Sequence, residues 1–481
     1  MYILLIILLG FGLRLININK LEGLWNDEYV SWFVSSTAFK EGFLQEIVKQ
    51  CHMPLYYFYL KPFAIFNDTV LRLTSVIPSV IAIFVMYLVG KEFSKKNGYI
   101  CGTITSILPF LIYYSQEVRF YSLLFLLSAL SLLFLIKLTK GKNYWKHFAL
   151  TSVFILLTHV LGIIYIGLCL LYLAYKKKKL TTRILVYSLI PLICLIPFGI
   201  NILKMIPSSQ WWGEFSYTNI LFLFSDYFSP ILTNNINAPK IFFYSNNLLF
   251  ISLILFPTLI ALYFIVKGVK QKKWLVIVAI GVILATAILA ISGKIVFITK
   301  YTIEILPTLI LLLALGVNGR FGYLMLSAFI SFQLFSVFTP YYPAKTFRSE
   351  GHRLVCEELN KKNPDAILFT YYEPNRFYRY LKLDSKMYYI SKINRFDYKY
   401  ETKNFIEKIQ IGEKVSVVFL DSVSFIPGNW IEKAKDQNLP EMFITFSEIR
   451  NFLIKELYIN FTDFQVEKVG SWTVITAKKL K

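Results

Sequence analysis

Cysteine is scarce in this sequence, and its five residues follow no metal-binding spacing. Cys101, Cys169 and Cys194 lie inside apolar runs, where a thiol behaves as a small hydrophobic side chain. The other two are Cys51 and Cys356. The pattern indicates neither a disulfide framework nor a cysteine-based zinc site.

The first apolar run, residues 2–15, lacks both marks of a secretory signal peptide. No basic segment precedes this run, and no small-residue cleavage site follows it. We therefore predict that the run is a retained membrane helix.

Acidic residues are also few, since 29 Asp and Glu stand against 51 Lys and Arg and give a net charge of +22. Such an excess could indicate a nucleic-acid partner, but the basic residues cluster in short segments between apolar runs. Clusters of this kind are topology signals, because basic loops stay in the cytoplasm. We predict no nucleic-acid partner and a cytoplasmic location for these residues: Lys91, Lys95 and Lys96; Lys137, Lys140, Lys142 and Lys146; Lys176 to Lys179 with Arg183; Lys267, Lys270, Lys272 and Lys273; and Arg320.

Apolar residues are abundant: 56% of the 481 residues are hydrophobic, and the mean hydropathy is +0.55. A helix needs about 20 apolar residues to cross a hydrocarbon core of about 30 Å. With every basic cluster inside, the pattern predicts a polytopic α-helical membrane protein with about eleven transmembrane helices. The predicted spans are 2–17, 71–90, 98–114, 121–138, 148–158, 160–175, 184–205, 246–266, 274–292, 299–318 and 321–338.

The stretch HMPLYYFYLKPFAIF, residues 52–66, is predicted not to cross the membrane. As a helix it would be only about 22 Å long, and Pro54, Lys61 and Pro62 interrupt it. We expect an interfacial helix on the outer face. The short spans 148–158 and 160–175 are predicted to meet at His159.

This topology places nearly all of the unusual polar residues on the outer side of the membrane. Arg14 and Lys20 oppose the positive-inside bias there, and two interpretations stand for Arg14: its side chain snorkels to the interface, or it lines a site. The outer set comprises Asp27, Glu28, His52, Glu117, Arg119, His159, Lys300, the loop 206–245 and the C-terminal domain.

Motifs on that side resemble those of one family. They are WNDE at 25–28, HMPLYY at 52–57, SQEVRFYSLLFLLSALS at 115–131, LLTH at 156–159 and KYTIEILPTLILLLALG at 300–316. In order and spacing they resemble the polytopic C-type (GT-C) glycosyltransferases, and most closely the branch with the protein O-mannosyltransferases and the lipid A aminoarabinose transferases. The resemblance covers the N-terminal two-fifths of the chain and the tenth span, and it implies a GT-C fold.

Enzymes of this family transfer a sugar from a polyprenyl phosphate to an acceptor hydroxyl outside the membrane. The resemblance therefore implies a multi-pass protein of the plasma membrane with its active site on the extracytoplasmic side. The expected partners are a polyprenyl-phosphate-linked sugar, membrane lipids, and a glycan, lipid or protein acceptor.

Asp27 is the predicted general base of such a transfer, because an acceptor hydroxyl is a poor nucleophile until its proton is removed. Glu28 is predicted to support the reaction through hydrogen bonds, since neighbouring side chains on a helix point in different directions. The alternative is structural: Asp27 caps a helix that begins at Glu28.

The leaving group of the transfer is a lipid phosphate, whose developing charge a nearby cation stabilises. Donor phosphate binding is assigned to Arg119, Lys300 and Tyr301, although Lys300 stands where the family often carries Arg. Alternatively, Arg119 is an interfacial snorkelling residue with Glu117 as its ion partner.

Substrate binding is assigned to His52, Glu117, Tyr121 and His159. The alternative for each of Tyr56, Tyr57 and Tyr121 is a place in an aromatic belt at the interface. No metal ligand is assigned and no cofactor is certain. A divalent metal stays open, although the carboxylates form no metal motif.

Residues 339–481 are predicted to form a soluble extracytoplasmic α/β domain, separate from the transmembrane domain 1–338, whose outer loop 18–70 carries the carboxylates. Strand-like runs at 366–372, 415–421 and 471–479 alternate there with helical stretches at 403–409 and 444–458. The segment 375–382 mixes Arg with aromatic residues; a solvated helix face is the favoured interpretation, and contact with the acceptor is the alternative. The loop 208–219 is interpreted as a mobile cover of the site.

Two classes of function are compatible with these features. The first is a membrane glycosyltransferase that uses a lipid-phosphate sugar. The second is a non-enzymatic transporter or flippase of lipid-linked sugars, which should carry polar residues near the middle of several spans. The charged residues gather at one face instead, and this favours the enzyme.

Overall fold

The computed structural model of the protein describes residues 1–18, 23–50, 52–176, 182, 184, 196, 198–200, 217–229, 248–292, 297–338, 351–370, 377, 379–389, 398–420, 446–469 and 472–480. These residues belong to two compact units. The first unit comprises Met1–Ile18 and Val30–Ala344, and the second comprises Asn19–Tyr29 and Lys345–Lys481. Lys20, Cys51, Cys194, most of the span 184–205 and most of the loop 206–245 lie outside the described residues.

The first unit is helical. Its helices are α1 (Tyr2–Leu15), α2 (Asn26–Ser36, which begins in the second unit), α3 (Phe43–Lys49), α4 (Leu55–Leu60), α5 (Asp68–Lys91), α6 (Lys95–Ile107), α7 (Pro109–Ser115), α8 (Tyr121–Thr139), α9 (Trp145–Thr158), α10 (Gly162–Lys176), α11 (Tyr217–Phe228), α12 (Leu248–Gln271), α13 (Lys273–Ile291), α14 (Leu306–Gly316) and α15 (Gly319–Val337). A 3₁₀ segment, Thr299–Ile305, leads directly into α14.

The first unit is that of a multi-pass membrane protein. Five described helical stretches are long and apolar enough to cross a membrane, and α6 with α7 adds a sixth if the pair, bent by 56°, is one span. They are α5, α8, α12, α13 and the stretch Thr299–Gly316, while α1, α9 and α10 are shorter apolar helices. Every predicted span except 184–205 overlaps one of the described helices.

The stretch 52–66 does not form a spanning helix. Its only α-helix is α4, which has six residues and is far too short to cross. A 3₁₀ turn at Lys61–Phe63 follows, where Pro62 interrupts the helix. The chain also breaks at His159, between α9 and α10, at the predicted position.

Arg14 is fully buried, so the interpretation that it snorkels to the interface is wrong. Its Nε donates to the Ser79 hydroxyl on α5, and its Nη1 donates to the carbonyl of Ser106 on α6. Its Nη2 donates to the Thr105 carbonyl. In a continuous helix that carbonyl would accept from residue 109, but Pro109 has no N–H to offer. Arg14 therefore satisfies a carbonyl that the break between α6 and α7 leaves open.

The second unit contains a five-stranded mixed sheet with the strand order β2-β1-β3-β5-β4. Strand β1 is parallel to β2 and β3, and β5 is antiparallel to β3 and β4. The strands are β1 (Ala366–Phe369), β2 (Lys386–Tyr389), β3 (Lys414–Leu420), β4 (Phe461–Val469) and β5 (Trp472–Lys479); the helices are α16 (His352–Lys362), α17 (Tyr398–Lys408) and α18 (Phe446–Asn460).

Helices cover both faces of this sheet. Phe405 of α17 and Leu453 of α18 pack on one face, and Val355 of α16 packs on the other. This explains why β1 is buried throughout, since both of its faces lie in a core. Phe377 is fully buried beside Trp472, so the interpretation of 375–382 as a solvated helix face is wrong at Phe377, while Lys382 of the same segment is exposed.

Helices α12 and α14 pack antiparallel through two glycines. A Cβ at Gly268 of α12 would overlap the Leu312 carbonyl, and a Cβ at Gly316 of α14 would overlap the Phe264 carbonyl. Each glycine thus faces the backbone of the other helix. The carbonyl that each helix presents to its partner lies four residues before the glycine of that same helix. Small residues allow this close approach in membrane helices, where packing rather than hydrophobic burial drives association.

We predict that Gly268→Ala and Gly316→Ala each destabilise the protein, because a backbone carbonyl cannot move aside as a flexible side chain can. The measurement is thermal unfolding in detergent. Gly167→Ala in α10 is the matched control: its Cβ would meet nothing within 4 Å, and Ala favours a helix over Gly by about 1 kcal/mol. Equal melting temperatures for the control and the two interface variants would contradict this packing.

Candidate functional site

The turn between α7 and α8 carries Glu117 and Arg119, both buried. The Gln116 side chain fixes the start of this turn, because its Nε2 donates to the carbonyls of Arg14 at 2.8 Å and Ile16 at 2.7 Å. These carbonyls belong to the open end of α1. The turn is then closed by the Arg119 N–H, which donates to the Glu117 carbonyl at 2.7 Å.

The Arg119 guanidinium points inward, with 6% of the residue exposed. Its Nη1 donates to the Ser31 hydroxyl at 3.4 Å, and its Nη2 lies 3.3 Å from His52 Nε2. The interpretation of Arg119 as a snorkelling residue is therefore wrong. Because Arg can only donate, His52 Nε2 is the acceptor, and a neutral His52 then carries its proton on Nδ1, which donates to the Tyr57 hydroxyl.

Aromatic rings connect Arg119 to the other predicted site residues. The guanidinium lies over the Phe120 ring at 5.6 Å, and this ring stacks on His159 at 5.1 Å between centroids. The His159 ring in turn lies 5.9 Å from that of Tyr301. The Lys300 ammonium lies over the Tyr121 ring at 5.4 Å and over the Tyr301 ring at 5.5 Å.

The tyrosines Tyr56, Tyr57 and Tyr121 are all buried, with at most 2% of each residue exposed. An aromatic belt faces lipid and water at the membrane interface, so the interpretation of these residues as a belt is wrong. The ring of Tyr56 packs against Tyr57 and Phe120, inside the unit.

The 3₁₀ segment Thr299–Ile305 holds Lys300 and Tyr301, and helix α11 anchors it. The Thr299 hydroxyl donates to Asp226 Oδ2 at 2.6 Å. The Tyr227 hydroxyl reaches the Thr302 carbonyl at 2.8 Å and the Thr302 hydroxyl at 2.7 Å. These buried contacts keep the segment in place, and Lys300 is only 9% exposed within it.

The sequence-based assignment missed two buried carboxyl groups, one within this segment and one bonded to it. One is Asp226, and the other is Glu304, which lies within the segment and is fully buried. An ionisable residue inside an apolar run is by itself a signal of function. Glu304 carried that signal, four residues after Lys300.

The carboxylates Asp27 and Glu28 belong to the second unit, at the start of α2. The helix begins at Asn26, so the alternative that Asp27 caps a helix starting at Glu28 is wrong. Glu28 is fully buried, and its Oε2 accepts from the Trp25 N–H at 3.3 Å. This is the reach-back bond that the third residue of a helix makes in a capping box. Asp27 is half-buried.

The structure thus brings His52, Arg119, Tyr121, His159, Lys300 and Tyr301 into one connected cluster, with Glu117 in the turn before Arg119. Asp27 and Glu28 stand together in the second unit. Among the residues that the structure describes, no group of three His, Cys, Asp or Glu side chains is arranged to hold a metal ion.

His159 is neutral in this cluster. Burial, reinforced by the positive charge of Arg119, lowers the pKa of His159 to about 3. Its Nδ1 is buried and has no hydrogen-bond partner in the described part of the chain. A neutral imidazole offers a donor at one ring nitrogen and an acceptor at the other, so His159 suits a polar group of a bound ligand.

Comparison with known proteins supports the fold. The family described as dolichyl-phosphate-mannose-protein mannosyltransferase (PMT_2) matches residues 52–201. A search of curated proteins gives no match. Among solved structures, ArnT from Cupriavidus metallidurans in the apo state is similar with a TM-score of 0.57 at 9% identity, over 99% of this chain and 97% of ArnT.

The same ArnT bound to undecaprenyl phosphate is similar with a TM-score of 0.54, also at 9% identity, over 99% of this chain and 98% of ArnT. The chain therefore has the GT-C fold, and it carries a small C-terminal sheet. The resemblance to the GT-C glycosyltransferases that the motifs indicated is confirmed at this level.

We predict a pH dependence of stability from His159. Because its pKa is lowered on folding, the unfolded chain takes up a proton that the folded chain excludes, so stability is complete above about pH 6.5 and declines below it. The decline approaches about 1.4 kcal/mol per pH unit for one proton. Melting temperatures of wild type and His159→Gln, measured from pH 7.5 to 5, should diverge because wild type loses more. Parallel curves would show that His159 takes up its proton equally in both states.

Proposed function

We propose that this chain is an integral membrane glycosyltransferase that moves a sugar from a polyprenyl phosphate to an acceptor hydroxyl on the outer face of the membrane. The observation that carries the proposal is the cluster around Arg119 and Lys300. Two cations from distant parts of the chain lie there over rings that contact each other, Arg119 over Phe120 and Lys300 over Tyr121, whose centroids are 4.6 Å apart. His52 and His159 stand beside Arg119 and Phe120.

The two cations suit a phosphate. A guanidinium and an ammonium in a largely buried cluster interact with an anion more strongly than they would in water, because the local dielectric constant is lower. Arg119 can offer two parallel N–H groups, whereas Lys300 offers a point charge. Tyr301 and Tyr121 flank Lys300 and carry hydroxyl groups for the remaining phosphate or sugar oxygens.

The comparisons support a polyprenyl donor. The matched family is named after dolichyl phosphate mannose, and ArnT was solved with undecaprenyl phosphate. Both lipids join a long isoprenoid chain to a phosphate. The apolar helices of the first unit provide the membrane setting in which such a donor is dissolved.

In the proposed reaction, Asp27 accepts the proton of the acceptor hydroxyl as its oxygen bonds to the anomeric carbon of the sugar. The bond between that carbon and the phosphate oxygen breaks, and the electron pair leaves with the phosphate. Arg119 and Lys300 stabilise this leaving anion, and His159 hydrogen-bonds to the donor. His52 holds the Arg119 guanidinium at the substrate through its Nε2. Glu28 keeps the start of α2 in shape through its bond to Trp25.

The experiment that tests this function uses purified protein in lipid vesicles, a panel of radiolabelled polyprenyl-phosphate sugars and an extract of acceptor glycans, lipids and proteins. Consumption of one donor with transfer of its label to an acceptor supports the proposal. Movement of intact donor across the vesicle membrane without consumption would support the transporter instead. Site-directed labelling from each side of the vesicle establishes which face carries the site.

We predict that Asp27→Asn lowers turnover by about 10²-fold or more and largely retains donor binding, because Asn keeps the shape but accepts no proton. Glu28→Gln should reduce turnover less, since a neutral amide oxygen can still accept from the Trp25 N–H. Thermal unfolding of both variants controls for stability. Asp27→Asn with wild-type turnover, or with a loss that only follows its melting temperature, would falsify the assignment of the base.

We also predict that Arg119→Met and Lys300→Met each weaken donor binding by about tenfold or more, since a charge-assisted hydrogen bond contributes about 1.5–3 kcal/mol. Binding of labelled polyprenyl phosphate to the purified variants is the measurement. Arg320→Met and Lys95→Met are matched controls at exposed positions outside the cluster. Unchanged donor binding in both test variants places the phosphate elsewhere.

A further inference from the structure

A second polar feature lies at the other ends of the membrane helices. A cleft of about 600 Å³ opens where α8, α10, α12 and α13 meet. Four lysines line it: Lys140, Lys176, Lys272 and Lys273. The cleft is distinct from the cluster around Arg119, because Tyr121 begins α8 and Thr139, which lines the cleft, ends it. The two residues are the ends of a 19-residue helix and therefore lie about 27 Å apart along its axis.

The positive charge of the cleft exceeds its negative charge. Lys140 bonds to Glu92 at 3.1 Å, so part of its charge is compensated. Lys176, Lys272 and Lys273, in contrast, have no acidic partner among the described residues. Two of the ammonium groups share one ring, since Lys140 and Lys272 lie over Phe93 at 5.2 and 5.6 Å. A ring face attracts cations but leaves their N–H groups available to an anion.

The walls of the cleft are aromatic. Tyr172 and Trp274 stack with their ring centroids 4.4 Å apart and their planes 7° apart. Stacked amphipathic rings of this kind are typical of the level at which membrane headgroups begin. The ring pair stands beside Lys273, the first residue of α13.

An exposed apolar stripe begins at the cleft. Ile277 lines the cleft, and Ile280, Leu284 and Ile288 follow it at intervals of three to four residues along α13. At this spacing they lie on one face of the helix. All four are at least 47% exposed, so the stripe offers a surface for a hydrocarbon chain.

We propose that this cleft binds the phosphate headgroup of an anionic glycerophospholipid, with an acyl chain lying along the stripe of α13. Lysine ammonium groups bind phosphate as point charges, and basic pockets between membrane helices suit lipid headgroups. The stripe is the reason for a lipid rather than free phosphate, because free phosphate has no apolar part to cover Ile277 and Leu284. The site is independent of the transfer reaction proposed above.

The test is native mass spectrometry of delipidated protein in detergent, titrated with phosphatidylglycerol, with phosphatidylcholine or with inorganic phosphate. The test variant is Lys272→Gln with Lys273→Gln. The matched control is Lys267→Gln with Lys270→Gln, which removes the same charge from the neighbouring end of α12 but lies outside the cleft lining. At about 1 kcal/mol for each lysine, the test variant should bind phosphatidylglycerol about 30-fold more weakly, and the control should bind like wild type.

Three results would overturn the proposal. The first is equal retention of phosphatidylcholine and phosphatidylglycerol, and the second is an equal loss of binding in the test and control variants. The third is inorganic phosphate that displaces the lipid at equal concentration, which indicates a site for a soluble anion. If the double variant melts at a lower temperature than wild type, Lys176→Gln serves as a second, independent test variant. It should weaken phosphatidylglycerol binding by about fivefold.

Discussion

The fold depends on how the chain satisfies polar groups at the breaks in its apolar helices. Pro109 interrupts the span of α6 and α7, and the carbonyl of Thr105 loses its usual donor. An unsatisfied carbonyl in an apolar interior costs several kcal/mol. Arg14 supplies the missing donor from α1, and Gln116 returns a bond to the Arg14 carbonyl. The break at Pro109 and the open end of α1 thus satisfy each other's carbonyl groups. The Arg14 guanidinium remains buried in this arrangement.

The position of the candidate site follows from this arrangement. The bend at Pro109 directs α7 so that the buried turn with Glu117 and Arg119 comes directly after it. A second proline, Pro307, stands in the first turn of α14, just after the 3₁₀ segment that holds Lys300. Both cations therefore lie next to irregular backbone, which is tolerated in a membrane protein only where protein or a cavity surrounds it.

The sequence predicts the architecture better than the orientation of single side chains. Apolar length and basic loops were sufficient for the spans, the short α4 and the break at His159, because these depend on composition alone. The burial of single polar side chains could not be predicted from composition. Arginine and tyrosine usually face the membrane interface. Arg14, Arg119 and Tyr56 point inward instead, because distant helices supply their hydrogen-bond acceptors and neighbouring rings. Glu304, in contrast, carried a signal in the sequence as an ionisable residue inside an apolar run, so its importance could have been predicted although its burial could not.

The 3₁₀ segment Thr299–Ile305 is kinked at Thr302, whose φ of −114° and ψ of 21° are not helical, so Lys300 does not lie on a straight continuation of α14. A 3₁₀ helix rises about 2.0 Å and turns about 120° per residue, against about 1.5 Å and 100° for an α-helix. Over three such steps the difference amounts to about 1.5 Å of length and about 60° of rotation, and the kink at Thr302 adds a change of direction. Rewinding the segment as a continuation of α14 would remove the kink and turn the Lys300 ammonium group to another side of the helix. The hydrogen bonds that join Asp226 to Thr299 and Tyr227 to Thr302 therefore hold the segment in its present winding and fix the position of Lys300.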